Sequence, residues 1–162
     1  MQALSRYRRW QLWAMEKNPV NIEQVVTSIT DLGAFERRDG GDGWTISEVL
    51  GHLYDVDSAF LARARALAEG NDPPPSSGRH QDEMVIEAGY AEQDALDLLE
   101  KWKGVRAPYH ALLASLPEDD AALWERPGRD VDGGGFTLND QLVLTAYHDC
   151  DHLHQIVKII RG

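Results

Sequence analysis

The chain has 162 residues, 43% of them hydrophobic, which suits one globular domain with a single core spanning 1–162. No run of about 18 apolar residues occurs, so no membrane span is expected. A formal net charge of −11 repels phosphate backbones and argues against nucleic acid as a partner. One cysteine allows no internal disulfide, and Met1 to Arg6 lacks the apolar stretch of a secretory signal, so a reducing, cytoplasmic location is expected.

Residues 2–17 read as a short amphipathic helix carrying Leu4, Tyr7, Trp10, Leu12 and Trp13. Asn18-Pro19 ends it, and Pro19 then opens a second helix with Val25, Val26, Ile29 and Leu32 at helical spacing, closed by Gly33. Residues 34–44 form a charged, glycine-rich connector that lacks the GxxxxGK[ST] pattern and the preceding strand of a phosphate-binding loop. Thr45-Ile46-Ser47-Glu48 is a capping box, which opens a long helix over 46–69. Its apolar stripe is Val49, Leu53, Val56, Phe60 and Leu67, and His52 lies beside that stripe at the edge of the core.

Gly70 and Asn71 end this helix, and Pro73 to Gly78 is a surface loop. Asp82 to Tyr90 can form a short helix, with His80 in solvent. Residues 91–115 are helical again, although Gly104 and Pro108 predict a kink near Gly104. His110 has no partner at ligand spacing, and Pro117 to Gly135 is a long polar loop. Phe136-Thr137-Leu138-Asn139-Asp140 then repeats the aromatic, threonine, aliphatic, polar, acid order of Trp44 to Glu48, so both helices begin on the same capping device. No strand-like alternation occurs, and four main helices make an all-α four-helix bundle the natural solution, with a short extra helix at the N-terminus.

The last helix carries the most informative segment. Leu138, Leu142, Thr145, His148, His152, Ile156 and Ile159 line one helical face, so two histidines stand where aliphatic residues are expected. At i and i+4 their rings lie one turn apart on that face, a spacing at which two imidazoles bind one metal ion. Two histidines on a solvated face share the spacing, but here the pair interrupts the apolar stripe rather than the polar face. His154 and Cys150 are each about 200° round the helix from His152; His154 points away, and Cys150 reads as a small packed thiol. With His52 on another helix, the set is three imidazoles. Three neutral imidazoles and an open fourth position are the arrangement of a catalytic zinc site; nickel, iron and manganese also accept it. Asp55, Asp149 and Gln155 are candidates to accept an imidazole N–H or hold a water, with Asp55, one turn beyond His52, the best placed. Solvated or capping roles suit all three as well.

Two segments resemble a known family. Trp44-Thr45-Ile46-Ser47-Glu48-Val49-Leu50-Gly51-His52-Leu53 is similar to the W-[ST]-x-x-E-V-L-x-H-L segment of the DinB/YfiT-like proteins. His148-Asp149-x-x-His152-Leu153-x-Gln155-Ile156 resembles their H-D-x-x-H-L-x-Q-I segment. The likeness runs from about Pro19 to Ile160 and departs at Pro108 and at the N-terminal start. It implies a four-helix bundle with up-down-down-up connectivity, a divalent metal ion on His52, His148 and His152, and a homodimer. It also implies a stress-response setting and, as one activity, a thiol S-transferase using bacillithiol or mycothiol; a hydrolase-like enzyme and a non-catalytic metal or small-molecule binding protein are the alternatives. In the transferase version the thiol's sulfur is the nucleophile, no protein cysteine is needed, and Arg63, Arg65, Arg79 or Arg129 would hold an anionic thiol.

The charge balance yields a first test. Duplex DNA incubated with the protein at physiological salt is expected to show no retardation in a native gel. Tight, salt-sensitive binding would overturn the argument from charge.

Overall fold

The computed structural model describes residues 2–73, 78–129 and 135–162. The loop readings at 74–77 and 130–134, and the side chains of Leu4 and Arg129, lie outside the described residues. Four long helices form the bundle: α1 (Gln2–Thr27), α2 (Ile46–Glu69), α4 (Ala95–Ser115) and α6 (Leu138–Arg161). A shorter α3 (Gln81–Ala88) lies in the crossing connection, and α5 (Ala121–Trp124) in the last one. Two strands of two residues each, β1 (Gly128–Arg129) and β2 (Gly135–Phe136), pair antiparallel just before α6, a hairpin too short to leave any alternation in the sequence.

Inter-helix contacts set the directions. Asn18 reaches Ala146 and Arg8 reaches Asn139, so α1 and α6 run parallel. Ser47 reaches Gln93 and Asp57 reaches Arg106, so α2 and α4 also run parallel. Gln141 bonds Phe60 while His148 meets His52, so α6 runs against α2. The path is up-down-down-up, with α3 in the crossing.

The short N-terminal helix is not separate. α1 continues through Asn18-Pro19 as a single helix and ends at Thr27, before Gly33. An interior proline costs roughly 3 kcal/mol, in part because it strands the carbonyl four residues earlier. That carbonyl belongs to Met15, and Arg106 Nη1 donates to it at 3.3 Å. Tertiary structure thus supplies the hydrogen bond that the local sequence withdraws. α4 likewise runs unbroken through Gly104 and Pro108.

The two capping boxes form as expected. Thr45 N–H donates to Glu48 Oε2 at 2.8 Å while Glu48 N–H donates to Thr45 Oγ1 at 3.2 Å, and Thr137 with Asp140 repeats the pattern at 2.9 and 3.1 Å. These caps satisfy orphan donors and fix where α2 and α6 begin.

The core has two apolar clusters. One holds Ile22, Val49, Leu53, Leu98, Trp102 and Ile156; the other holds Met15, Leu67, Tyr109, Leu113, Trp124 and Leu142. On every long helix a buried polar residue falls between them in sequence: Asn18, Asp57, Arg106 and Asp149. Arg106 uses all five guanidinium N–H groups. Two go to Asp57 at 2.7 and 3.0 Å, two to Asp149 at 2.6 and 2.7 Å, and one to the Met15 carbonyl. Trp102 Nε1–H adds a bond to Asp57 at 2.7 Å, and Asn18 donates to Asp149 at 3.3 Å. Burial alone would pull the Arg106 pKa down, but its hydrogen bonds and proximity to the two carboxylates hold it well above the ordinary arginine value. One cation therefore ties together four helices in a buried layer.

Of the five tryptophans, Trp102 and Trp124 fill the core, Trp10 and Trp13 are 62% and 63% exposed, and Trp44 belongs to the site described next. None of the described helices is long and apolar enough to cross a membrane.

The ion layer makes a stability prediction. Arg106→Leu leaves two carboxylates buried without their counter-charge, and should cost about 3–5 kcal/mol by urea unfolding. Arg106→Lys should also destabilise, since a point charge cannot replace a planar fork. Replacing all three ions together (Asp57→Leu, Arg106→Met, Asp149→Leu) should cost less than Arg106→Leu alone. Additive losses would show that the three groups do not act as a unit.

Candidate metal centre

α2 and α6 cross with their histidines facing each other. His52 Nε2 lies 3.0 Å from His148 Nε2, which lies 3.0 Å from His152 Nε2, and one ligand atom from each residue falls within 4.8 Å of the others. The three rings are splayed, with interplanar angles of 57°, 69° and 86°, so their nitrogens rather than their faces converge. His148 Nε2 thus has two nitrogen neighbours at hydrogen-bond distance. An aromatic nitrogen carries either one proton or one lone pair, so its short contacts cannot both be good hydrogen bonds. A single cation between three lone pairs resolves the geometry, and the donor set fits a divalent ion.

The protonation of His152 follows from its neighbours. Asp39 is a carboxylate, so Gln155 must turn its Nε2 to Asp39 Oδ2, at 3.2 Å. That leaves Gln155 Oε1 facing His152 Nδ1 at 2.8 Å, where it can only accept. The proton of neutral His152 therefore sits on Nδ1, and Nε2 presents its lone pair to the cluster. Lys158 anchors the chain from outside, its Nζ 2.6 Å from Asp39 Oδ1, and keeps the Asp39 pKa low through this contact.

The site is shielded but not sealed. His52 and His152 are 6% and 7% exposed, and Trp44 packs against both, its ring nearly parallel to His152 at 17°. Behind His52, Gly51 allows the Tyr90 ring to press on α2; a Cβ there would lie 2.2 Å from the ring. Burial pushes the His52 pKa down to about 4, helped by His152, and the His148 pKa down to about 3, helped by His152 and His52. Burial also lowers His152, although the Gln155 bond opposes the shift. All three are held neutral, the form a metal requires. A polar cleft of about 360 Å³ opens beside His152, lined by Asp39, Trp44, Asp151, His154 and Lys158 among others.

The structure brings together His52, His148 and His152 and sets Gln155 against the last of them. It does not bring the two aspartates to the imidazoles. Asp149 turns inward to Arg106, and Asp55 Oδ1 accepts from Tyr90 Oη–H at 2.7 Å. Burial raises the Asp55 pKa against that bond. Cys150 is exposed rather than packed, because the buried side of α6 at this level is taken by Asp149 and His152. His110 bonds the Leu12 carbonyl, and His80 caps α3 at the surface. Of the candidate arginines with described side chains, Arg63 is buried against Phe136, Arg65 is exposed, and Arg79 lines a pocket beside His52. Asp39 and Lys158 were not foreseen: 119 residues apart, they meet only through the fold. Trp44 stands in the sequence as part of the capping motif and of the family-like segment, and neither reading places its ring over the histidines.

The chain belongs to the DinB superfamily, whose pattern matches residues 14–156. Among solved structures it is similar to YfiT from Bacillus subtilis, described as a probable metal-dependent hydrolase with an unusual four-helix bundle topology. The TM-score is 0.81 at 20% identity, covering 95% of this chain and 86% of that one. It is also similar to a mycothiol-dependent maleylpyruvate isomerase, with a TM-score of 0.74 at 15% identity over 92% of this chain; the match spans 60% of the isomerase. At these identities the likeness establishes the fold. No curated protein matches the sequence.

The lowered imidazole pKa values fix the direction of a pH effect. The folded state prefers neutral histidines and the unfolded state protonates them near 6.5, so their contribution to stability is full above 6.5 and fades as pH falls towards about 3. Protonation also competes with metal. A chelator-linked titration is expected to release the ion as pH drops below about 6.5, with release complete only in more acid solution. Full occupancy down to pH 3 would point to ligands other than histidine.

Proposed function

We propose that this protein is a divalent-metal-dependent enzyme, with zinc the first candidate ion, whose three-histidine site acts on a low-molecular-weight thiol of the bacillithiol or mycothiol kind. The supporting observation is the convergence of three neutral Nε2 atoms, one with its tautomer set by Gln155, beside an open polar cleft. A closed structural site would take a fourth protein ligand, and among the described residues no other His, Cys, Asp or Glu joins the cluster. A divalent ion held there would lower the pKa of a water or thiol at its open position and so supply a nucleophile near neutral pH.

The chain's own residues do the rest. His52, His148 and His152 present lone pairs; Gln155, Asp39 and Lys158 hold the His152 ring in place; Trp44 covers two imidazoles and limits water. Charges of both signs line the cleft, which suits a hydrated, polar thiol. In the transferase reaction the sulfur's electron pair forms a carbon–sulfur bond, the leaving group departs with its own pair, and the thiol proton goes to solvent. The resemblance of the fold to a mycothiol-dependent isomerase supports the thiol reading, and the resemblance to YfiT supports water as the alternative nucleophile. One observation favours a non-catalytic binding protein: Asp149, a candidate proton acceptor, is fully committed to Arg106.

Cobalt substitution separates these readings. Adding bacillithiol or mycothiol to the cobalt protein should produce an intense near-ultraviolet thiolate charge-transfer band, absent in His52→Ala. Conjugation of the thiol to an alkyl halide should fall on metal removal. A band without turnover would favour the binding protein. Absence of both band and turnover, with metal bound, would remove support for the thiol. Full metal stoichiometry in the His148→Ala, His152→Ala double variant would sink the site itself.

A further inference from the structure

A second pocket meets the histidine cluster at His52, whereas the polar cleft meets it at His152. It lies between α2 and α3, has a volume of about 200 Å³, and His52 forms one wall. Val56 and Ala59 extend that wall along the same face of α2, at four and seven residues past His52, while Met84 and Val85 close it from α3. Gln81 belongs both to this pocket and to the polar cleft, so the two spaces adjoin at Gln81, and each has one of the cluster's histidines in its wall. Their chemistries differ. The cleft carries Asp39, Asp82, Asp151 and Lys158; the pocket is mainly aliphatic.

Two charged residues stand at the pocket, and both are engaged. Asp55 accepts the Tyr90 hydroxyl, and Arg79 pairs with Glu87 at 2.6 Å. A ligand entering here meets aliphatic side chains and no charge in search of a partner, which selects for an uncharged molecule. Size narrows the choice further. An apolar cavity of about 150 Å³ holds one benzene ring, so a pocket of about 200 Å³ takes one ring with a small substituent.

We propose that the pocket formed by His52, Val56, Ala59, Met84 and Val85 binds the organic substrate, an uncharged apolar molecule of about one ring, while the polar cleft admits the nucleophile. This rests on the metal-dependent reading above and adds to it a substrate class and a division of the site into two approaches. The cleft reaches the cluster at His152 and the pocket reaches it at His52, so neither reactant has to displace the other. It also gives α3 a purpose: the short helix in the crossing connection supplies the far wall.

The binding test does not depend on turnover. Fluorine NMR of 4-fluorotoluene with the wild-type protein should give saturable shifts or broadening, with and without metal, because the pocket is built from α2 and α3. Ala59 is exposed at the mouth, so Ala59→Trp should fold and bind metal normally while weakening the probe about tenfold or more. Met84→Trp blocks the opposite wall and serves if the first variant does not fold. Absence of saturable binding, or equal binding by both variants, would overturn the proposal. A kinetic arm follows thiol conjugation to benzyl chloride, where Ala59→Trp should raise KM much more than it lowers kcat. Loss of turnover with every thiol, alongside a probe that binds and is blocked, would sink the functional reading and leave the pocket standing. Turnover with unchanged KM would do the reverse.

Discussion

A single guanidinium buried at the centre of the bundle sets the constraints on everything around it. Arg106 has five donors and is only 3% exposed, so each N–H must meet an acceptor from another helix, and each does. Burying a charge is costly unless pairing and hydrogen bonding are complete. That condition leaves little freedom in the relative heights of α1, α2, α4 and α6. A slide of one helix by a turn, about 5.4 Å, would break the set.

The three-histidine cluster inherits this precision. Asp149 directly follows His148 on α6, and Asp57 lies five residues past His52 on α2. When Arg106 clamps the two aspartates, it holds the two histidine-bearing segments in register. Asp149 thus contributes to the site without touching an imidazole, by holding its helix in place. The capping boxes at Thr45 and Thr137 fix the helix starts, and the ion layer fixes the crossing. Between them, three nitrogens meet within 4.8 Å across two helices.

The outer face of the site is built differently. Gln155 is wedged between an acceptor-only carboxylate and an imidazole, and this determines which nitrogen of His152 carries the proton. The connector before α2 supplies Asp39 and Trp44, so a segment with the composition of a plain turn shapes both the electrostatics and the cover of the centre. The crossing connection supplies α3 and the apolar pocket. The bundle interior gives rigidity; the connections give the site its chemistry.

Much of this was legible in residue order. Helical periodicity and capping boxes located α2 and α6, because both are local consequences of backbone geometry. The i, i+4 histidines stood out because imidazole on an apolar stripe contradicts the stripe. Gln155 was within reach for the same reason, being three residues from its partner. What lay beyond the sequence depended on contacts between distant segments. Pro19 reads locally as a helix boundary, and only the Arg106 bond to Met15 makes a continuous α1 tolerable. Asp149 reads as a ligand's neighbour, and only the packing of four helices turns it inward. Asp39 and Lys158 have no sequence signature at all. Residue order determined which helices form and which side chains have the right chemistry for a metal; tertiary structure decided which of them meet, since a charge buried among four helices is satisfied by partners that no local pattern names.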